Sequence, residues 1–257
     1  MANPRDGMRF EDRDDAREHQ FKQVWNEELI DVFADVAKYY DRANRVASLG
    51  LWGWFRRGFL STMELRDGHK VLDVCAGTNA VGIALLQRYP GLEVFALDRS
   101  EAMHNVGRRS AERLGLKIES VIGDVHRLPF PDDHFDAVTL QYASRHLRVV
   151  DVCKEIKRVL KPGGHMYHSD MLRPGNRVVE ELYYAYLRIC LTLMAWLFRS
   201  GPAAVNCKDY FIEALQLFYS ANEFSQLLRQ VGFRQISSKT VLSGMVGFHK
   251  AVKGTDP

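Results

Sequence analysis

The chain has 257 residues, 46% hydrophobic and 26% charged, with a formal net charge of +3. This is the make-up of a globular protein with ample material for a core, and so small a charge implies no polyanionic partner such as a nucleic acid. The four cysteines, Cys75, Cys153, Cys190 and Cys207, are scattered without a CxxC pair. They read as reduced thiols of an intracellular, cytoplasmic protein, not as a disulfide frame or a metal site.

Residues 1–20 are polar and charged, with no apolar run. They are not a signal peptide, and they read as a mobile arm. Residues 21–64 read as a helical lid. Val24, Leu29, Val32, Phe33, Val36 and Ala37 recur at helical spacing, and an aromatic-rich stretch follows, broken by Gly50 and Gly53. From Val71 short strands alternate with helices: strands at 71–74, 92–98, 117–124, 135–142 and 165–172, helices at 80–87, 100–114 and 151–160. That alternation predicts a parallel sheet covered on both faces, in a core over 65–175. Two helical stretches, 176–200 and 209–230, form a cap over 176–232, and 233–257 supplies two last strands around Gly244. The most apolar run, 182–198, contains Arg188 and is shorter than the roughly 20 apolar residues of a spanning helix. A buried or membrane-touching helix is the expectation there.

The stretch "HKVLDVCAGTNAVGIALLQRYP", residues 69–90, is strand, small-residue turn and helix. In an open parallel sheet, ligands sit beyond the carboxyl ends of the strands at the switch point. Gly77 lets backbone approach a ligand, Thr78 and Asn79 offer hydrogen bonds, and asparagine tolerates a left-handed backbone better than most residues. Asp98 ends the second strand 25 residues after Asp73, where a carboxylate can accept both hydroxyls of a ribose. Asp124 ends the third, toward an adenine edge. Either acid alone would be an ordinary turn residue; three strand-end acids in one unit are not. A dinucleotide needs GxGxxG to hold its pyrophosphate, and "AGTNAV" lacks the first and last glycines. S-adenosylmethionine has no phosphate and needs acids for its ribose and ammonium groups.

Taken together, "YDRANRVASLGLWGWFRR", "VLDVCAGT", "GDVHRLPFPDDHFDAVTL", "RVLKPGG" and "LSGMVGFHKAVK" resemble the ubiquinone/menaquinone C-methyltransferases over most of residues 30–253. The resemblance implies an α/β class I methyltransferase fold. This is a Rossmann-like, mostly parallel sheet with a C-terminal antiparallel hairpin strand and a helical cap. It implies S-adenosylmethionine as cofactor, a lipophilic quinol as acceptor, and contact with no nucleic acid. Peripheral membrane contact and a homodimer stay open. To the acids and turn residues above, the cofactor set adds Tyr40, Ala76, Arg99, Met103, Val125 and Gln141.

The chain departs from the family pattern at Asn79 (glycine or alanine), Ala80 (aspartate), Trp52 (histidine) and in "ASRH", residues 143–146, where the family has "GLRN". A quinol ring becomes nucleophilic when a phenol of pKa about 10 loses its proton, so a base or a cation beside the phenolate is useful. Arg145 suits the cation and His146 the base, each against an ordinary alternative: a salt bridge to Asp151 or Glu155 for Arg145, and a histidine bonded to backbone for His146. His165 and His168 lie three apart on a strand and face opposite sides, a poor metal pair. Of Tyr183, Tyr184, Tyr186, Trp196 and Phe198, half are expected in the core. Two other readings remain: a methyltransferase for another small aromatic or natural-product acceptor, and a non-catalytic S-adenosylmethionine-binding protein.

Overall fold

A computed structural model describes residues 7–201 and 207–255. The rest of the expected arm, residues 1–6, part of the cap, 202–206, and the last two residues lie outside the described residues. The central strand β1 (Lys70–Val74) is buried along nearly its whole length and pairs in parallel with β2 (Glu93–Asp98) and β4 (Phe135–Gln141). β3 (Glu119–Ile122) joins β2, and β5 (Leu160–Met171) joins β4, both in parallel. The last two strands, β6 (Phe233–Val241) and β7 (Val246–Lys253), run antiparallel, giving the order β3-β2-β1-β4-β5-β7-β6. Strand order reverses between β1 and β4, so a crevice opens at their carboxyl ends.

Alternation along the strands divides the core. Leu72, Val74, Val138 and Leu140 face one side with α7 (Val149–Val159) and α10 (Ala221–Val231). Val71, Val94, Ala137 and Tyr167 face the other, under α4 (Trp52–Leu60) and α5 (Ala80–Arg88). Helix α6 (Glu101–Arg113) follows β2. Lys161–Gly164 is not a loop between helix and strand: β5 starts at Leu160 and runs through it.

The N-terminal segment corrects the sequence reading. Residues 10–20 are not a mobile arm but part of α1 (Phe10–Gln23), in which Arg13, Asp14, Arg17 and Phe21 are buried. It shows no apolar stripe because its buried face is largely polar, satisfied by one internal ion pair and by partners far away in the chain. Arg17 bonds Asp14 at 2.9 Å, and Asp14 in turn accepts from the Tyr219 hydroxyl and from the Val150 amide at the start of α7. Arg13 reaches Glu223 at 2.7 Å and the Phe218 carbonyl at 2.6 Å. Buried charges are tolerated where partners satisfy them. A π-helical turn (Val24–Glu28) leads into α2 (Leu29–Val36) and α3 (Tyr40–Ala47), which close over the crevice.

The cap is α8 (Arg177–Leu197) and α9 (Lys208–Gln216), joined through Tyr183, Tyr184, Ile212 and Leu215. Of the five cap aromatics, Tyr183 and Tyr184 are in the core, whereas Trp196 is 76% exposed. No helix among the described residues is long and apolar enough to cross a membrane.

Candidate active site

The turn after β1 is built on alternating left-handed residues: Cys75 at φ 54°, Gly77 at φ 52° and Asn79 at φ 57°. Asn79 stands at the N-cap of α5 with ψ 25° and is fully buried. The asparagine therefore makes the bend that glycine would make. Helix α6 seats on the turn so closely that a Cβ at Gly107 would fall 2.7 Å from the Thr78 carbonyl carbon. Replacing Asn79 with glycine should change cofactor affinity only modestly. Valine, which resists positive φ at a cost of about 1–2 kcal/mol or more, should weaken it about tenfold by calorimetry. Normal binding by the valine variant would show that the turn tolerates another geometry.

Asp98 organises this turn from the side. One oxygen accepts from the Gly77 amide at 2.7 Å and the other from the Ser100 amide at 2.7 Å. Each oxygen keeps a further lone pair for a ligand. Burial raises the carboxyl, and the two amides oppose that. Asp73 is more completely enclosed. Its Oδ1 accepts from the Thr139 hydroxyl at 2.6 Å, and its Oδ2 has no hydrogen-bond partner among the described residues; the Gly82 amide in the first turn of α5 is close enough to favour the charged carboxylate. Burial, reinforced by Asp98, pushes the Asp73 carboxyl up to about 7.

These groups line a cavity of about 910 Å³, its mouth included. Tyr40, Asp73, Ala76, Gly77, Thr78, Asp98, Arg99, Met103, Gln141 and His146 all reach it. Asn79 lies behind it and acts through backbone shape. Arg145, Asp124 and Val125 do not line it. Asp124 is turned outward, bonded to His126 Nδ1 at 2.7 Å, and that bond holds its carboxyl down at about 2. Val125 belongs to the core beneath.

The lid closes the other side. The Thr78 hydroxyl bonds Asp41 at 3.0 Å, tying α3 to the turn. Leu29, Ile30 and Phe33 add apolar wall. Trp52 stacks on Tyr142 with ring centroids 4.7 Å apart, and Tyr142 holds φ 56° at the end of β4. A bulky residue with positive φ is an outlier that the surrounding structure must hold in place. Arg145 does so: its NH1 donates to the Tyr142 carbonyl at 3.0 Å and to Asp170 at 2.6 Å. Its ion pair is thus with Asp170, not with Asp151 or Glu155. Helix α1 braces the same loop, Arg17 donating to the Arg145 carbonyl at 2.7 Å.

His146 lies between Phe33 and Phe211, with Nδ1 2.6 Å from the Tyr210 hydroxyl. Burial and the charges of Arg145, Arg17 and Arg99 drive its pKa well below the usual imidazole range. Asp170, Tyr142 and Tyr210 were not singled out from the sequence. Asp170 carried a readable signal, an acid at the carboxyl end of a predicted strand; Tyr142 and Tyr210 carried none. Among the described residues no group of three or more His, Cys, Asp or Glu is placed to hold a metal ion.

A doubly wound sheet with an antiparallel last strand, an acid-lined crevice at its switch point and no grip for a phosphate is the frame of an S-adenosylmethionine-dependent methyltransferase. The free oxygen of Asp73 and the unpartnered Gln141 amide fit a cationic, polar cofactor. The model of the ubiE/COQ5 methyltransferase family matches residues 21–253. The demethylmenaquinone methyltransferase of Beutenbergia cavernae is 34% identical over 88% of this chain and 91% of its own length. The ubiquinone/menaquinone biosynthesis C-methyltransferase UbiE of Paracoccus denitrificans is 29% identical over 86% of this chain and 89% of its own. Among solved structures, the Haemonchus contortus phosphoethanolamine N-methyltransferase 2 in complex with S-adenosylhomocysteine shares the fold, with a TM-score of 0.62 and 14% identity over 80% of this chain and 53% of that one. The chain belongs to the ubiE/COQ5 methyltransferase family, and it is an S-adenosylmethionine-dependent methyltransferase.

Proposed function

We propose that the protein methylates a ring carbon of a prenylated quinol that it meets at a membrane surface. The observation that carries this is one cavity lined both by the cofactor turn and by an aromatic wall, Trp52 stacked on Tyr142 with Phe33 beyond. The named relatives act in menaquinone and ubiquinone biosynthesis, which supports the same acceptor class. In this reading Asp98 takes the ribose hydroxyls and the free oxygen of Asp73 takes the ammonium. S-adenosylmethionine supplies an electrophilic methyl on a sulfonium. The remaining task is to hold a nucleophilic carbon in line and keep water out, which is positioning. The aromatic wall holds the ring, and α2 and α3 exclude solvent. Arg145 is a positioning residue, acting through the strained backbone of Tyr142.

The membrane part rests on α8. Leu182, Ile189, Leu193 and Trp196 recur every three to seven residues along one face and are each at least 51% exposed. The face adjoins α3, where the Tyr186 hydroxyl donates to the Ala47 carbonyl. Exposed Arg188 lies on the same helix and exposed Arg199 just past its end, while Arg177 at its start pairs with exposed Glu181 at 3.6 Å. An apolar face with a basic rim suits an anionic lipid surface.

The test is methyl transfer under reducing conditions to a demethylated prenyl quinol in anionic vesicles, reading product mass and the position of the new methyl. Trp196→Glu with Leu193→Glu should abolish vesicle binding and cut turnover of the long-chain quinol at least tenfold, while a short-chain quinol in solution is methylated normally. A methyl found on oxygen or nitrogen, or turnover of a non-prenylated aromatic alone, would assign the site to a different acceptor.

A further inference from the structure

We infer that His146 serves the reaction as a neutral hydrogen-bond donor to an acceptor oxygen, presenting Nε2–H to the cavity in a tautomer set by a relay from Trp25 through Tyr210. This rests on the reading of the acceptor as a phenol. It replaces the expectation that His146 is a base.

The relay has a direction because its first member has no choice. An indole nitrogen only donates. Trp25 Nε1 lies 2.8 Å from the Tyr210 oxygen, so that oxygen accepts. The Tyr210 hydroxyl lies 2.6 Å from His146 Nδ1, and no other hydrogen bond to that oxygen is formed among the described residues. The phenol proton therefore goes to Nδ1, which must be bare to accept it. A neutral imidazole carries one N–H, so the hydrogen sits on Nε2. The opposite arrangement would leave a buried phenol hydrogen without an acceptor, which costs about 1–3 kcal/mol.

Nε2 is the one polar atom of this group left over. It is buried and has no partner among the described residues, and the ring lines the cavity. A buried donor without a partner is costly unless a ligand satisfies it. The surroundings keep the ring neutral. Facing it are Arg145 on its own turn, Arg17 from α1 and Arg99 after β2, all cations, together with the Tyr210 phenol from α9 and the apolar rings of Phe33 and Phe211. Among the described residues the charges acting on it are all cationic. A neutral Nε2–H cannot take a proton at that atom; it can donate to the acceptor's phenolate oxygen, whose proton is lost to bulk water before methyl transfer, and so favour the ionised ring. The ring carbon then bonds the methyl as the methyl–sulfur bond breaks, the sulfur leaves as the neutral thioether, and the hydrogen on that carbon is lost to water as the ring regains aromaticity. Tyr210 and Trp25 are positioning residues, since they touch the imidazole and the relay but not the acceptor.

The experiment has two parts. Nitrogen-15 NMR of histidine-labelled protein reads the tautomer without any acceptor. It should show His146 as the Nε2–H form, unchanged from pH 5.5 to 8, and Tyr210→Phe should shift the signal toward a mixture. In the methyl-transfer assay His146→Gln, whose amide donates from a similar reach but cannot act as a base, should keep kcat within about tenfold of the parent. His146→Phe should lower kcat about hundredfold, the loss typical of one oxyanion donor, with cofactor affinity unchanged. An Nδ1–H tautomer, an imidazolium appearing near pH 6.5, or a glutamine variant as inactive as the phenylalanine one would overturn the inference. A protein that shows the expected tautomer but methylates no quinol overturns the acceptor reading and leaves His146 a neutral Nε2–H donor.

Discussion

Replacing Asp170 with alanine should destabilise the protein by about 3–5 kcal/mol, the usual consequence of removing one partner of a buried ion pair. At this chain length that is a fall in Tm of roughly 6–20 °C. Asp170 is fully buried and holds three donors: Arg145 NH1 at 2.6 Å, the Ser144 amide at 2.8 Å and the Met171 amide at 2.7 Å. Removing it strands a guanidinium that cannot give up its charge. Arg145→Met is not the mirror image. It strands a carboxylate, and a carboxylate can take a proton. Burial already raises Asp170, with Arg145 as the chief opposing influence. Without the arginine the folded-state pKa rises further above its unfolded value. The acid then binds a proton more tightly when folded, so the variant is most stable at low pH and loses stability as pH rises through that pKa. Thermal melts from pH 5 to 8 should show the alanine variant weak throughout and the methionine variant recovering toward pH 5. Equal losses at every pH would mean that the pair does not carry charge as described. Turnover should fall in both, because Arg145 also carries the Tyr142 carbonyl.

The contrast between Asp98 and Asp170 shows what could be read from residues alone. Both are acids at the carboxyl end of a strand, and the same reasoning reaches both. Asp98 was singled out because a ribose supplies a reason to look for it; Asp170 serves a side chain, and no ligand points to it. Asp124 shows what strand spacing leaves out. Its position in the chain suits an adenine edge, but a histidine two residues on captures the carboxylate and turns it outward. A local hydrogen bond decides that, and strand spacing does not reveal it. The sheet was legible because fully buried strands are apolar runs with clear ends. Helix α1 was not, because Arg13, Asp14 and Arg17 are buried through specific partners more than 100 residues away, and hydrophobic periodicity cannot register such pairing. The left-handed Asn79 was legible from residue type. The left-handed Tyr142 was not, since no propensity favours a tyrosine there; it is held by tertiary contacts, with Arg145 on its carbonyl, the Ser169 carbonyl on its amide and Trp52 on its ring.

Cofactor affinity should fall by up to tenfold per pH unit below about pH 7, and Asp73 is the cause. Burial and the neighbouring Asp98 hold its carboxyl up at about 7 in the free protein. A cationic ammonium binds the ionised carboxylate, so below that pH each binding event must displace a proton. The same shift has the opposite sign for the free protein's stability. An acid whose folded pKa lies above its unfolded value stabilises the fold at low pH, and that contribution is lost as pH rises from about 4 to 7. Ligand and fold therefore pull Asp73 in opposite directions, the ligand favouring the carboxylate and the empty fold the protonated acid. Calorimetry between pH 5.5 and 7.5, where an α-amino group stays largely protonated, should show affinity rising with pH and protons released on binding at the lower end. Asp73→Asn should flatten the profile and leave binding near the low-pH level of the parent. Asp98→Asn should move the midpoint down, since one of the charges that raises Asp73 is gone, while also weakening binding at every pH through the Gly77 and Ser100 amides. A parent protein whose affinity does not change over this range would show that the ammonium is held by another group, and that the free oxygen of Asp73 serves only the turn.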